Sequence, residues 1–446
     1  MKSFLTEQNR PYKILWFGDL VTPSGFGRIG NEVGKRLALR GYVMQGAAIS
    51  YTGWPHALPF NWIYPLGGQD IFGGLTQIAN GFQPDLIVSC QDFPYHLQIW
   101  NACRIDFSRI KWMFITPIDG TPIHSDWVKL VDFADGAMVI SRFGVEAMRQ
   151  EGKRISLCHP GVDASEFYPA ESEERTKLRA LMGYGADDYI VGVVCMNQGR
   201  KAISKMVEGF FEFARDKPDA RLYLDMDKTS PAGWDIPTLL TQMNLSDGDK
   251  ARVKYREDAF KAQELLPLRN RYVMLDVHMV ISHREGFGLP ILESMACKIP
   301  SMALDYCSGP EIAGEGRGVL VKRIDYMESG TWGGARDAFP DMADLIRNLN
   351  QLYADKSIAA LFAQRGYEWA VKQTWDAATD QVEGVIQSAL ARPRKDKPIH
   401  AAPIPNPAPG LSDVYGPSHH PKSESINADS QRPPAAQAVG DNSELQ

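Results

Sequence analysis

The sequence contains no C-x-x-C pair. Its six cysteines, Cys90, Cys103, Cys158, Cys195, Cys297 and Cys307, are scattered along 446 residues. In a chain this large, thiols so spread read as buried and reduced, which argues against a disulfide scaffold and against structural zinc. No apolar run approaches the ~20 residues that a membrane span needs. The opening "MKSFLTEQNRPYKILWFG" lacks the charged region, apolar stretch and small-residue cleavage site of a secretory signal. A basic excess is also missing. Lys and Arg total 48 against 54 Asp and Glu, a net charge of -6, so the total gives no reason to expect a polyanionic partner, although a local basic patch stays open. These absences together predict a soluble cytoplasmic protein. What is present is apolar bulk: 44% hydrophobic residues in a length beyond the roughly 250–300 residues that one core sustains. Two cores are expected.

Hydrophobic patterning gives those cores a class. "KILWFG" (13–18) reads as a strand; a glycine loop and the helical pattern "RIGNEVGKRLALRGY" follow it. "YVMQGAAI", "DLIVSC", "IKWMFIT", "GAMVI" and "ISLCH" are further strands, with helix-length segments between most of them. The alternation pauses at the polar, proline-bearing "GVDASEFYPAESEERTK" (161–177) and then restarts with "YIVGVVCM", "RLYLDM", "RVKY", "MLDVHMVIS", "PSMALD" and "GVLV". Strands alternating with helices imply parallel sheets covered on both faces. The fold class is therefore α/β, with two Rossmann-like domains facing a cleft. The expected division is 1–168, 169–370, a helix at 371–390 crossing back to the first domain, and a tail at 391–446. That tail holds ten of the 29 prolines and almost no large apolar residues, so it is expected to be disordered.

Chemistry concentrates in "HREGFGLPILESMACKIP" (283–300). A buried strand ends at Ser282, and Pro290 suits the first turn of a helix. The amides of Gly286, Phe287, Gly288 and Leu289 would then point out of the helix start, an anion site suited to phosphate. Glu285 precedes the helix and Glu293 lies one turn inside it. Carboxylates accept hydrogen bonds from sugar hydroxyls, so the stretch reads as phosphate flanked by two hydroxylated rings, as in a nucleotide sugar. The plain alternative is a β–α turn with two solvated glutamates. Gly25-Phe-Gly27-Arg28-Ile-Gly30 is formally a dinucleotide fingerprint. It comes late after its strand, however, and the next strand ends without an acidic residue for a ribose. We read it as a flexible loop facing the cleft, with Gly25, Gly27 and Arg28 near donor phosphates or acceptor. Asp225-Met-Asp227 could present oxygen ligands to a divalent ion.

Glu285 and Glu293, eight positions apart around Gly-Phe-Gly-Leu-Pro, resemble the E-x7-E signature of retaining glycosyltransferases of the family 4 (group 1) type, which have the GT-B fold. "SMACKIPSMALDYCSGPEIAGEGRGVLV", "CHPGVDASEFYP", "MNQGRKAISKMVEGF" and "PSGFGRIGNEVGKRLALRGY" resemble further elements of that family, in its order, over roughly residues 12–390. The resemblance implies a nucleoside diphosphate sugar as donor. It places Glu285 on the donor sugar and Glu293 on the ribose, with Arg200 and Lys201 clamping the diphosphate, and no metal is required. It also shows two departures. Met196 stands where the family has its first arginine. Asp119, with His124 nearby and Asp92 as a weaker candidate, stands where many relatives have a histidine beside the reacting sugar. The acceptor is left open among glycan, lipid, protein, small molecule and nucleic-acid base, and peripheral membrane contact is allowed. Rival readings are an epimerase of the same fold, a nucleic-acid base glycosyltransferase and a non-catalytic nucleotide-sugar-binding protein.

Overall fold

A computed structural model describes residues 4–67, 70–256, 267–328 and 334–393. The expected tail lies almost wholly outside the described residues. The first domain is a seven-stranded sheet in the order β3-β2-β1-β4-β5-β6-β7. Its strands are β1 (Lys13–Gly18), β2 (Val43–Ala48), β3 (Trp62–Pro65), β4 (Leu86–Cys90), β5 (Lys111–Thr116), β6 (Gly136–Val139) and β7 (Ser156–Leu157), and every neighbouring pair is parallel. Helices α1 (Gly25–Leu39), α2 (Ile71–Phe82), α3 (Phe93–Ala102), α4 (Ser125–Phe133) and α5 (Arg142–Gln150) cover it. β4 and β5 are buried along their whole length, as parallel strands covered on both faces must be.

The second sheet has six strands in the order β10-β9-β8-β11-β12-β13. These are β8 (Tyr189–Val194), β9 (Ala220–Asp225), β10 (Val253–Tyr255), β11 (Val277–Val280), β12 (Ser301–Leu304) and β13 (Val319–Val321). Its helices are α6 (Ser172–Leu181), α7 (Ile203–Ala214), α8 (Ile236–Gln242), α9 (Asp247–Lys250), α10 (Leu268–Val273), α11 (Leu289–Ala296), α12 (Gly309–Ala313), α13 (Met342–Ala354) and α14 (Lys356–Ala370). Both sheets reverse their strand order once, between β1 and β4 in the first and between β8 and β11 in the second. Loops leaving a reversal point diverge to opposite faces and leave a crevice at the strands' carboxyl ends, where ligands of such sheets bind.

The last helix, α15 (Trp375–Ala391), returns to the first domain. Val382, Ile386 and Ala389 join the same core as Ile14, Leu86 and Met113. Asp376 pairs with Arg36 at 2.9 Å, and Asp380 and Glu383 pair with Arg40 at 2.8 and 2.5 Å. No helix among the described residues is long and apolar enough to cross a membrane.

The structure holds two features that sequence patterning did not mark and corrects one expectation. Trp62–Pro65 forms an edge strand, β3, in a stretch whose Pro and Trp composition concealed it. The antiparallel hairpin β14 (Arg323–Glu328) and β15 (Arg336–Pro340) was also missed, because every residue of β14 is exposed and no apolar alternation marks it. The glycine segment at 25–30 is the first turn of α1 rather than a loop, with Ser24 accepting from the Gly27 amide as its cap.

Removing the Ile386 side chain would leave a cavity where α15 docks. Ile386→Ala is expected to cost about 2–5 kcal/mol, read as a lower urea midpoint. An unchanged midpoint would show that the helix contributes little to the first domain.

Candidate active site

The four loops at the two reversal points meet across the cleft. In the second domain, β8 leads to a 3-10 turn at Gly199–Lys201, and β11 leads through residues 281–288 into α11. Hydrogen bonds tie these loops together. The His283 amide donates to the Arg200 carbonyl at 2.8 Å, and the Arg200 guanidinium donates to the Arg284 carbonyl at 3.1 Å. The geometry converges on Glu285. Lys201 Nζ lies 2.5 Å from Oε2, Ser282 Oγ donates to the same oxygen at 3.0 Å, and Arg200 lies 3.6 Å from Oε1. Burial pushes the Glu285 carboxyl up. The charges of Lys201 and Arg200 outweigh it and, with hydrogen bonds from Lys201 and Ser282, hold the group at about 2.

Past Glu285 the backbone turns through Gly286 and Gly288. A Cβ at Gly286 would meet Pro117 of the first domain at 2.6 Å, and Gly288 holds φ +104°, a conformation that side chains disfavour. Pro290 sits in the first turn of α11, as expected. Among the described residues, the amides of Gly286, Phe287, Gly288 and Leu289 have no protein acceptor. Ser308 Oγ instead fixes the loop's carbonyls, donating to Glu285 at 2.9 Å and Phe287 at 2.7 Å.

One turn into α11, Glu293 is buried. Tyr272 donates its hydroxyl to Oε2 at 2.8 Å, and Arg28 of the first domain approaches Oε1 to 3.7 Å. Burial raises the Glu293 carboxyl, and Arg28 and Tyr272 oppose it. Arg28 also pairs with Glu166 at 3.0 Å. Gly25 lies beside Leu289, its ideal Cβ 3.9 Å from Leu289 Cδ1, and Gly27 lies in the same first turn of α1. The start of α1 therefore faces the start of α11.

On the other side of Glu285, Asp92 and Asp119 line one pocket with Phe93, Pro117, Trp127 and Ala335. Asp92 occupies the cap position of α3 yet accepts no capping bond. Burial and the Asp119 charge push its carboxyl up to about 7, against Arg200 and Arg284. Arg284, buried, lies 3.8 Å from Asp119 and pairs with Asp337 of the hairpin.

Other candidates fall elsewhere. His124 caps α4, accepting from the Asp126 amide. Asp225 is buried between Arg256 at 2.7 Å and Arg271 at 3.2 Å, whereas Asp227 is exposed. Met196 is half exposed. Sequence reasoning missed Ser282, Arg284, Tyr272, Ser308 and Asp337. The first two adjoin the motif in sequence, so their proximity was available. Tyr272 and Asp337 carried no local signal.

The family model for glycosyl transferases group 1 matches residues 264–329. The alpha-maltose-1-phosphate synthase of Mycolicibacterium smegmatis is 25% identical over 282 residues, 60% of this chain and 67% of that protein. A D-inositol 3-phosphate glycosyltransferase of Mycobacteroides abscessus is 28% identical over 198 residues, 43% of this chain and 42% of that protein. The matches thus span from under half to two thirds of these relatives' own lengths. Among solved structures, a sucrose-phosphate synthase from Thermosynechococcus elongatus superposes with a TM-score of 0.64 at 19% identity, covering 85% of this chain and 99% of that one. Anabaena HepE, in complex with UDP and glucose, superposes with a TM-score of 0.64 at 17% identity, covering 84% of this chain and 100% of that one. With two parallel sheets facing one cleft, the chain has the GT-B fold of these neighbours, and around residues 264–329 it is similar in sequence to the group 1 glycosyl transferases.

Proposed function

We propose that the protein transfers a sugar from a nucleoside diphosphate sugar to an acceptor hydroxyl, with retention at the anomeric carbon. The observation that carries this reading is the Glu285 cluster: one half-buried carboxylate held by two cations at the mouth of a helix whose leading amides have no protein acceptor among the described residues. The cations and amides suit the diphosphate. Glu285 accepts from donor-sugar hydroxyls, and Glu293 accepts from the ribose in place of Arg28 and Tyr272.

In the reaction, the acceptor oxygen bonds to the anomeric carbon on the face from which the phosphate departs. The bond from that carbon to the phosphate oxygen breaks, and its electron pair stays on the phosphate. The hydroxyl proton passes to the same phosphate oxygen. Lys201 and Arg200 stabilise the charge that develops there, a role for fixed cations that requires no divalent ion. Asp92 and Asp119 face the acceptor, and the carboxylate form of Asp92 accepts from a second hydroxyl of the acceptor and so positions the attacking one. Similar proteins, HepE in complex with UDP and glucose and synthases of sugar phosphates, support a sugar nucleotide as donor. The acceptor is not assigned to a class.

A screen of nucleotide sugars tests the reading, with thermal shift and nucleoside diphosphate release measured with and without EDTA. Stabilisation by one donor, with release that EDTA does not affect, is expected. EDTA-sensitive release would return Asp225 and Asp227 to consideration, and no shift with any donor would remove the assignment.

Glu285→Ala or Lys201→Ala is expected to lower kcat/KM at least about tenfold, roughly 1.4 kcal/mol; near-normal turnover in either would break the placement of the cluster. The acid side of the rate profile gives a second check. With its carboxyl at about 2, wild-type Glu285 stays ionised through mildly acid pH. Lys201→Met removes the largest opposing charge, so the carboxyl moves up and the residual rate should fall at higher pH than in wild type. The basic side tests Asp92. With its carboxyl at about 7, transfer should rise as pH is raised through that value, and Asp92→Asn should lose the rise. An unchanged profile in Asp92→Asn would exclude its role.

A further inference from the structure

Glu311 belongs to the second domain, on α12, but its carboxylate serves the first. Oε2 accepts from the Arg142 amide at 2.7 Å and the Phe143 amide at 3.4 Å. These are the first two amides of α5, which its own cap Ser141 leaves open by accepting from Gly144 instead. A carboxylate at that end of a helix satisfies orphan donors and complements the helix dipole. The Glu311 side chain is only 8% exposed, although the Arg142 amide that it meets lies at the surface.

The other oxygen turns toward the donor loop. His159, on the segment joining the domains, brings Nε2 to 3.3 Å from Oε1, while its Nδ1 lies 3.0 Å from the Pro160 carbonyl. The same ring stands edge-on against Phe287 at 4.8 Å and an interplanar angle of 87°. Phe287 is one of the residues whose amide faces the proposed phosphate position. Three residues before Glu311, Ser308 grips the carbonyls of Glu285 and Phe287. Gly286 between them packs against Pro117 of the first domain. One carboxylate thus joins a first-domain helix, the interdomain segment and the backbone that carries Glu285.

We propose that Glu311 is a positioning residue: its carboxylate latches α5 of the first domain to the 285–289 loop of the second, and so fixes that loop's place in the closed cleft. Opening the cleft would strip Glu311 of both amides and return the first donors of α5 to water, giving up the carboxylate's hydrogen bonds and its match to the helix dipole. The latch stands on contacts within this chain and is independent of which donor or acceptor the cleft takes.

Hydrogen–deuterium exchange on the full chain tests it in wild type, Glu311→Ala and Glu311→Gln. In Glu311→Ala, exchange of segments 141–150 and 284–292 should both rise, by about tenfold or more for such local opening, while segment 375–391 keeps its wild-type rate. Glu311→Gln, with a carbonyl oxygen but no charge, should fall between. A cap that serves only α5 would move 141–150 and leave 284–292 untouched; that pattern, or no change in either segment, overturns the proposal. If Glu311→Ala loosens the whole fold and raises 375–391 as well, the same comparison in Glu311→Gln decides by the same criteria.

Discussion

A half-buried carboxylate between two cations is the constraint around which the cleft is organised. The Glu285 side chain is 15% exposed, and Lys201 and Arg200 face it; a charge so largely withdrawn from water is destabilising if it loses its partners. The pairing fixes the 3-10 turn after β8 against the loop after β11. Those are the two loops that diverge at the second sheet's reversal point, so the ion pair closes the floor of the crevice that the strand order opens. Two positive charges against one negative also leave the floor cationic, next to the amides at the start of α11. That arrangement suits a diphosphate better than a neutral ligand.

The first domain supplies the wall. Arg28 crosses the cleft to Glu293, Pro117 packs on Gly286, and the α5 amides meet Glu311. Each contact joins a first-domain group to α11, to the loop that precedes it or to α12 just beyond. The backbone at the start of α11 is thereby set by both domains, and the chain anchors that relation again through α15, which returns to the core of the first. Lids and clefts built in this way gate solvent as well as substrate. Asp92, half-buried beside Asp119, has its carboxyl raised by desolvation and by that neighbouring charge.

Much was legible because it is local. Alternating apolar runs named twelve of the strands, since parallel strands buried on both faces must be apolar along their length. Glu285, the two glycines and Pro290 were legible as a helix start because their roles depend on neighbours within a turn. β3 and the β14–β15 hairpin were not, because an edge strand and an exposed ribbon carry no buried face to write a pattern. The helix start at Gly25 was misplaced for a related reason: glycine weakens a helical signal even where a cap, Ser24, supports the turn.

By itself the sequence determined two parallel α/β domains and an anion-binding turn framed by carboxylates, because periodicity and turn chemistry act over a few residues. Only the tertiary structure decided which partners those carboxylates keep. Lys201 is 84 positions from Glu285, Tyr272 is 21 from Glu293, and Glu311 is 169 from the Arg142 amide. No local pattern encodes such meetings. They arise when two sheets, each with one reversal of strand order, bring the carboxyl ends of their strands to a common cleft, where burial makes every charge depend on its neighbours.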